Sequence, residues 1–453
     1  VTESSRRSHH GGRKPLRTYP LAIAEIVDLS QEGRGVARVD GKTVFIDDAL
    51  PGEQVEWQMR ARQRNFDEGR LTQVLRASPD RVPARCPHFG TCGGCVLQHL
   101  SAPRQIEAKQ AQLLDALTRI GRVTPPTILP PLAAEPWGYR RRARLSAKWV
   151  AKKRRVVVGF RERAAPYIAD VRTCDVLTSR VSQLLEPLSA VLTTLSIRDR
   201  VPQVEVAVAD NALALAVRVL LPPTAADLER LRAFRDAENV RIYLQPGGYD
   251  TLALLDGAPA ESVEPLLYHL PEFDVSFEFL PNDFVQVNAE VNRLMVRRAV
   301  EILAPAAGEH VLDLFCGIGN FSLPLARSGA RVLGVEGDAG LIARAARNAL
   351  RNGLPHAQFI TANLAQESFD AAWATAKYDK VLLDPPRAGA REVLSMIAAS
   401  GAHRVVYVSC HPGSLARDAG LLVEEHGFRL LAAGVMDMFP HTSHVESMAV
   451  FER

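Results

Sequence analysis

Asp313-Leu-Phe-Cys-Gly-Ile-Gly-Asn320 sits where an apolar run, Val311-Leu-Asp-Leu-Phe315, stops and a helical stretch begins. Gly317 and Gly319 remove Cβ atoms from a tight turn, so the backbone can pass close to a ligand. The next apolar run, Val332-Leu-Gly-Val-Glu336, ends in an acid. Roughly 20 residues beyond such a turn, a carboxylate can take both hydroxyls of a ribose. Two glycines alone would also make an ordinary turn. The strand before, the helix after and the acid beyond point instead to a nucleotide-type ligand. A dinucleotide site would favour a third glycine at the helix start, and Phe321-Ser322 stands there.

Strand–helix alternation spreads from this turn. Further β-branched runs are Gln358–Thr361, Val381–Asp384, Val405–Ser409, Leu430–Val435 and Ser447–Phe451. The pattern from about Phe273 onward predicts an α/β, doubly wound sheet over 273–453. No long helix fits between the last two runs, so the seventh strand is expected to enter antiparallel.

Upstream, residues 1–13 are polar, basic and Gly-containing, and read as a disordered tail. Residues 14–77 hold five short β-rich runs: Leu21–Val27, Val36–Val39, Thr43–Ile46, Val55–Met59 and Arg70–Leu75. Turn signals such as Asp40-Gly41 and Pro51-Gly52 separate them, which predicts a small OB-like β-barrel. A helix is expected over about Pro103–Ile120, with Ile106, Leu113, Leu114 and Leu117 on its apolar face and Gly121 as its stop. The Pro-rich stretch 123–131 reads as an extended connection. Residues 78–272 form a central α+β region, with a hairpin expected at Asp210-Asn211.

The chain has 453 residues, 47% hydrophobic and 23% charged, with a net charge of +4. No apolar run approaches the roughly 18 residues of a membrane span, and the N-terminal basic residues lead no apolar stretch. A cytoplasmic protein without membrane contact, acting as a monomer, is expected. Charge is clustered. Trp137–Arg163 holds eleven Lys or Arg and one acid, and seven arginines lie between Arg60 and Arg85. Interleaved aromatics (Trp137, Tyr139, Trp149, Phe160) suit an RNA backbone and unstacked bases, although a solvated strand face would look similar.

The sharpest chemistry lies at strand ends. Arg404-Val-Val-Tyr-Val-Ser-Cys410 is a buried-strand run that stops at a thiol before His411-Pro412-Gly413. Ligands bind at that rim in open α/β sheets. Asp384-Pro-Pro-Arg387 ends another strand; the prolines turn the chain outward and leave Asp384 at the lip. Amino-group methyltransferases often place an aromatic after the prolines; Arg387 here argues against adenine N-methylation. A thiolate can add to carbon 6 of uracil, making carbon 5 nucleophilic, and a base must then remove the carbon-5 proton. Cys410 and Glu446 are the candidates, because an antiparallel seventh strand would begin at the rim where the strand of Cys410 ends. A free thiol needs help to ionise; His411, Arg387 or a helix N-terminus after Pro412 could give it. His441 and His444 read as structural.

Cys86-Pro-His-Phe-Gly-Thr-Cys92-Gly-Gly-Cys95, with distant Cys174, is a metal signal. Zinc sites usually pair cysteines two by two. Three in one loop and a fourth far away suit an iron–sulfur cluster at least as well, and spacing leaves both open.

Together these residues resemble the bacterial RNA uracil-C5 methyltransferase family over nearly the whole chain, nearest its members that act on 23S rRNA. The resemblance implies a class I S-adenosyl-L-methionine (SAM) methyltransferase fold, because Asp-x-Phe-x-Gly-x-Gly is similar to that class's first motif. It implies a TRAM barrel that binds RNA, and a [4Fe-4S] cluster on Cys86, Cys92, Cys95 and Cys174. Phe284-Val-Gln-Val-Asn288 is similar to a SAM-contacting segment, giving Gln286 that role beside Phe315, Asn320, Glu336, Asn363 and Asp384. Cys410 becomes the nucleophile and Glu446 the proton acceptor. His411 departs from the family's frequent Asn. tRNA-specific relatives are expected to lack barrel and cluster, which would favour 23S rRNA, at the uridine conventionally numbered 1939. The rivals are another rRNA or tRNA uridine, a cytosine-C5 methyltransferase, and a non-catalytic iron–sulfur RNA-binding assembly factor.

Overall fold

The computed structural model describes residues 20–163, 165–366 and 371–453; the expected disordered tail lies outside them. The chain divides into two compact units, at Arg81 and Val82.

In the first unit, Leu21–Leu29, Gly35–Val39, Lys42–Asp47, Phe66–Arg76 and Gln54–Arg62 close, in that order, into a barrel. Alternate residues point inward and form its core: Ala24, Ile26, Ala37, Val44, Ile46, Val55 and Trp57. Asp40 and Gly41 both take positive φ, as a two-residue hairpin requires. Gly69 is needed because a Cβ there would lie 2.4 Å from the Trp57 ring.

The second unit contains two large sheets. One has six strands, in the order Ala253–Leu254, Arg241–Gln245, Leu213–Arg218, Gln203–Val208, Arg142–Val150, Arg155–Gly159. The hairpin through Asp210-Asn211 forms as expected, pairing Leu213 with Val208.

The other sheet carries the candidate site. Its strands are β1 (His310–Leu314), β2 (Arg331–Glu336), β3 (Ala357–Thr361), β4 (Lys380–Leu383), β5 (Arg404–Ser409), β6 (Arg429–Met436) and β7 (Glu446–Glu452). They run in the order β3-β2-β1-β4-β5-β7-β6, and Thr127–Ile128 adds an eighth strand beside β6. The expected extended connection is therefore part of this sheet. β1 to β5 are parallel, and β7 is antiparallel to both β5 and β6, as the missing helix required. Strand order reverses between β1 and β4, which places a ligand crevice at their carboxyl ends.

Leu312, Leu314, Val381, Leu383, Val405 and Tyr407 face one layer, with the helices Ala102–Arg119 and Pro412–Glu424. Val311, Leu382, Val406 and Met448 face the other, with the helix Ala289–Leu303. Gly121 and Gly420 let the first two helices touch: a Cβ on Gly121 would lie 2.3 Å from the Ala416 carbonyl.

The helix Ala102–Arg119 buries Leu113 and Leu117 of the expected apolar face, but its buried stripe also takes in polar residues. Its buried residues are Gln105, Lys109, Leu113, Ala116 and Leu117, while Ile106 and Leu114 are half-buried. Two polar residues occupy the first turns of the buried stripe because partners for them come from elsewhere in the chain. Among the described residues no helix is long and apolar enough to cross a membrane.

Candidate active site

Cys410 is the first residue after β5, and Glu446 is the first of β7. The antiparallel register pairs Ser409 with Ser447. Cys410 and Glu446 therefore stand opposite each other one step beyond that rung. The Ser447 hydroxyl donates to the Ser409 carbonyl at 3.3 Å and fixes the end of the ladder. Asp384 leaves β4 alongside, its N–H donating to the Leu314 carbonyl at 3.3 Å.

Burial raises all three acids. Glu446 is pushed up to about 8, the Asp384 carboxylate adding to the effect and Lys109 opposing it. Asp384 rises to about 7. The Cys410 thiol rises to about 11 by burial and then by the Glu446 and Asp384 carboxyls, with Arg387 opposing. These groups titrate as a coupled set. A cation entering the pocket would lower every one of them.

The raised carboxyls have a stability consequence. A carboxyl whose folded pKa exceeds its unfolded value stabilises the fold fully below the unfolded pKa, and this is lost as pH rises through the folded one. For Glu446 the window runs from its ordinary 4.5 to about 8. Glu446→Gln is expected to gain stability over the parent across that window, on the order of 1–3 kcal/mol. Below about pH 4, where both forms of the protein are uncharged there, no such gain should grow. Denaturant unfolding across pH checks this, and a pH-independent difference contradicts it.

His411 is engaged elsewhere. It caps the helix Pro412–Glu424, its Nδ1 accepting the Ser414 N–H at 3.1 Å. That nitrogen is not free to take the thiol proton. Burial, then Arg387, lowers the His411 pKa, which keeps the acceptor form. Asn would cap equally well. His411→Asn is expected to leave stability within about 0.5 kcal/mol, and His411→Ala to cost about 0.5–2 kcal/mol. Thermal unfolding of both variants distinguishes a cap from a dispensable side chain.

The SAM-type turn lies across the crevice. Phe315 takes φ +62°, Gly317 +55° and Gly319 +94°. A left-handed Phe is strained by roughly 1–3 kcal/mol, a device found at ligand clamps. Glu336 is oriented by backbone donors: Gly337 at 2.7 Å, Asp338 at 3.2 Å and Gly317 at 3.3 Å. Asn320 exchanges amide hydrogen bonds with Asn292, at 3.0 and 2.9 Å, and accepts the Tyr268 hydroxyl at 3.0 Å. Gln286 lines a cavity with Tyr268, His269, Asn292, Arg141 and Arg293. Asn363 follows β3, exposed, accepting the Ala365 N–H at 3.0 Å. Asn292 and Tyr268 carry no motif, and sequence reading missed them. A second buried acid, Asp313, sits on β1 with its pKa raised to about 7 by burial, and the Ser322 hydroxyl donates to it.

Cys86, Cys92, Cys95 and Cys174 line one pocket with Phe89, Phe160, Val171 and Arg140. Burial, and after it the neighbouring thiols, push Cys95 up to about 12 and Cys174 to about 11. Gly93 lets the loop close, its N–H donating to the Arg161 carbonyl at 2.8 Å; a Cβ there would lie 2.9 Å from that oxygen. Among the described residues no group of three or more His, Cys, Asp or Glu is arranged around a single-ion position.

The basic segment is largely engaged within the protein. Arg141 pairs with Asp210, Arg142 and Arg144 with Glu205, and Lys153 and Arg155 with Asp170. The Arg141 N–H also donates to the Val287 carbonyl at 2.9 Å, and Arg142 to Pro281 at 3.0 Å, which holds the Gln286 segment. Lys148, Lys152, Arg154 and Arg161 are exposed without an ion pair among the described residues.

Residues 267–453 match the family model described as tRNA (Uracil-5-)-methyltransferase, and residues 24–71 match the TRAM domain. A protein of Alkalilimnicola ehrlichii, named 23S rRNA (uracil(1939)-C(5))-methyltransferase RlmD, is 51% identical over 97% of this chain and 98% of its own length. This chain belongs to the RNA uracil-C5 methyltransferase family. A Stenotrophomonas maltophilia member with the same name is 52% identical over 97% of this chain and 98% of its own. The crystal structure of Pyrococcus abyssi tRNA (uracil-54, C5)-methyltransferase in complex with S-adenosyl-L-homocysteine superposes with a TM-score of 0.73 at 25% identity. It covers 95% of this chain and 99% of its own. SAM is thus the family's methyl donor, on a SAM-methyltransferase fold joined to a TRAM barrel. The same match corrects one expectation. The uncovered 5% is less than the barrel alone occupies, so possession of the barrel does not separate rRNA from tRNA enzymes.

Proposed function

We propose that this protein methylates carbon 5 of uridine 1939 of 23S rRNA through a covalent adduct on Cys410. The observation that carries the chemistry is Cys410 facing Glu446 across the end of the β5–β7 ladder, beside Asp384. The support for the target is the naming of relatives 51–52% identical along nearly the whole chain.

The Cys410 thiolate adds to carbon 6 of the flipped uracil, and the C5=C6 electrons move to the carbon-4 oxygen as an enolate. Carbon 5 then takes the methyl group that SAM supplies, leaving S-adenosylhomocysteine. Glu446 accepts the carbon-5 proton, the C5=C6 bond re-forms, and the carbon–sulfur bond breaks to return the thiolate. Arg387 and the N-terminus of the helix Pro412–Glu424 favour that thiolate. Glu336 is set to hold the ribose hydroxyls, with the strained turn at Phe315–Gly319, Gln286, Asn320, Asn363 and Asp384 completing the SAM pocket.

The four-cysteine pocket fits a [4Fe-4S] cluster. Four thiols from two segments line one largely apolar pocket, and multi-iron centres are held by four cysteine thiolates. Iron and sulfide analysis of anaerobically purified protein would read about four of each; a single zinc would overturn the assignment. We further propose that the protein acts in the cytoplasm as a monomer.

The test is direct. 23S rRNA from a strain lacking the protein should accept one methyl group per molecule from SAM, at uridine 1939, and bulk tRNA should accept none. Methylation of tRNA alone would move the target, and no SAM binding would leave the assembly-factor reading.

A further inference from the structure

Glu446 is preceded by Asp437–Val445, a segment without regular secondary structure that joins β6 to β7. Its own sequence does not fix where the general base points. Contacts from much earlier in the chain do. Lys109 Nζ donates to Asp437 at 2.6 Å and to the Phe439 carbonyl at 3.0 Å. Gln105, one turn earlier on the same helix face, accepts the His441 N–H at 2.8 Å. Its amide also donates to the Leu97 and Leu100 carbonyls, at 3.0 and 2.7 Å. The Val96 and Leu97 N–H groups both donate to the His441 carbonyl at 2.9 Å, and Tyr139 donates to that of Pro440 at 3.2 Å. His441 is held with φ +66° against the Trp137 ring, 3.9 Å between centroids.

Stability alone does not call for this arrangement. Lys109 is 2% exposed, and a buried ion pair is often no more stable than apolar residues of the same volume. Lys109 is also the cation that opposes the rise in the Glu446 pKa, against Asp384 and burial. We propose that Lys109 and Gln105 are positioning residues for proton abstraction, holding the 437–445 strap so that Glu446 meets the carbon-5 proton after methyl transfer. This inference rests on Glu446 being the base.

The experiment follows the enzyme–RNA adduct on ordinary uridine RNA with SAM by denaturing gel and rapid quench. Glu446→Gln tests the underlying reading: methylated adduct should accumulate. Lys109→Met should accumulate the same adduct, forming within a few-fold of the parent rate and releasing product about 10- to 100-fold more slowly. The acid limb of its pH–rate profile should move to higher pH, because the remaining neighbours of Glu446 are Asp384 and Cys410. If Lys109→Met fails to fold, Lys109→Met with Asp437→Leu removes the pair and its buried charges together. Gln105→Leu should slow release without moving the pH limb. Release at the parent rate overturns the proposal, as does loss of adduct formation with SAM binding intact. Failure of Glu446→Gln to accumulate adduct overturns the underlying reading instead.

Discussion

Cys410→Ala is expected to abolish methylation, with a loss of at least about 10⁴-fold, the scale on which nucleophile removal acts in covalent enzymes. Carbon 5 of uracil has little nucleophilicity of its own, and Cys316, within the SAM-type turn itself, is buried with its sulfur beside Gly334. The loss should fall on the chemical step. SAM affinity should stay within a few-fold, because the turn at Phe315–Gly319 follows β1 and Glu336 ends β2, and β4 separates both strands from β5. The result is read from single-turnover methyl transfer beside SAM titration calorimetry. Methylation at an appreciable fraction of the parent rate would exclude the covalent route.

Glu446→Gln is expected to behave differently. Its amide keeps the shape of the pocket but cannot accept the carbon-5 proton. Adduct formation and methyl transfer should survive, while product release falls about 10²- to 10⁴-fold, the range of general-base removal. In the parent, Glu446 with its pKa near 8 must lose its proton before it can act. The release rate should therefore rise with pH through about 8 and level off. In Glu446→Gln that limb should vanish. Gel-resolved adduct decay across pH measures both. Equal loss of adduct formation and release would mean that the carboxyl serves the first step rather than the last.

Much of this site was legible because its chemistry sits at strand ends. β-branched runs stopping at Cys410, at Asp384-Pro385-Pro386 and at Glu336 each announce a rim position. The short connection before Ser447 forces the antiparallel entry that brings Glu446 to that rim. The barrel was legible for a similar reason, with turn signals closing each run. What was not legible depends on distant pairings. The apolar face expected for the helix Ala102–Arg119 passed over Gln105 and Lys109, because a polar residue gives no local sign that a partner waits more than three hundred residues away. Asn292 and Tyr268 orient Asn320 through contacts that leave no motif. The basic run at 137–163 suited either RNA or a solvated strand face, yet Asp170, Glu205 and Asp210 engage five of its cations. Charge counts along a sequence cannot see cross-strand acids.

The most direct measurement is mass spectrometry of the complex trapped on a 23S rRNA fragment carrying 5-fluorouridine at position 1939. Fluorine cannot leave as a proton, so the adduct cannot resolve. After protease and nuclease digestion, the peptide containing Cys410 should carry one methylated fluorouridine nucleotide. A nucleotide on any other residue, or an adduct without the methyl group in the presence of SAM, would contradict the mechanism.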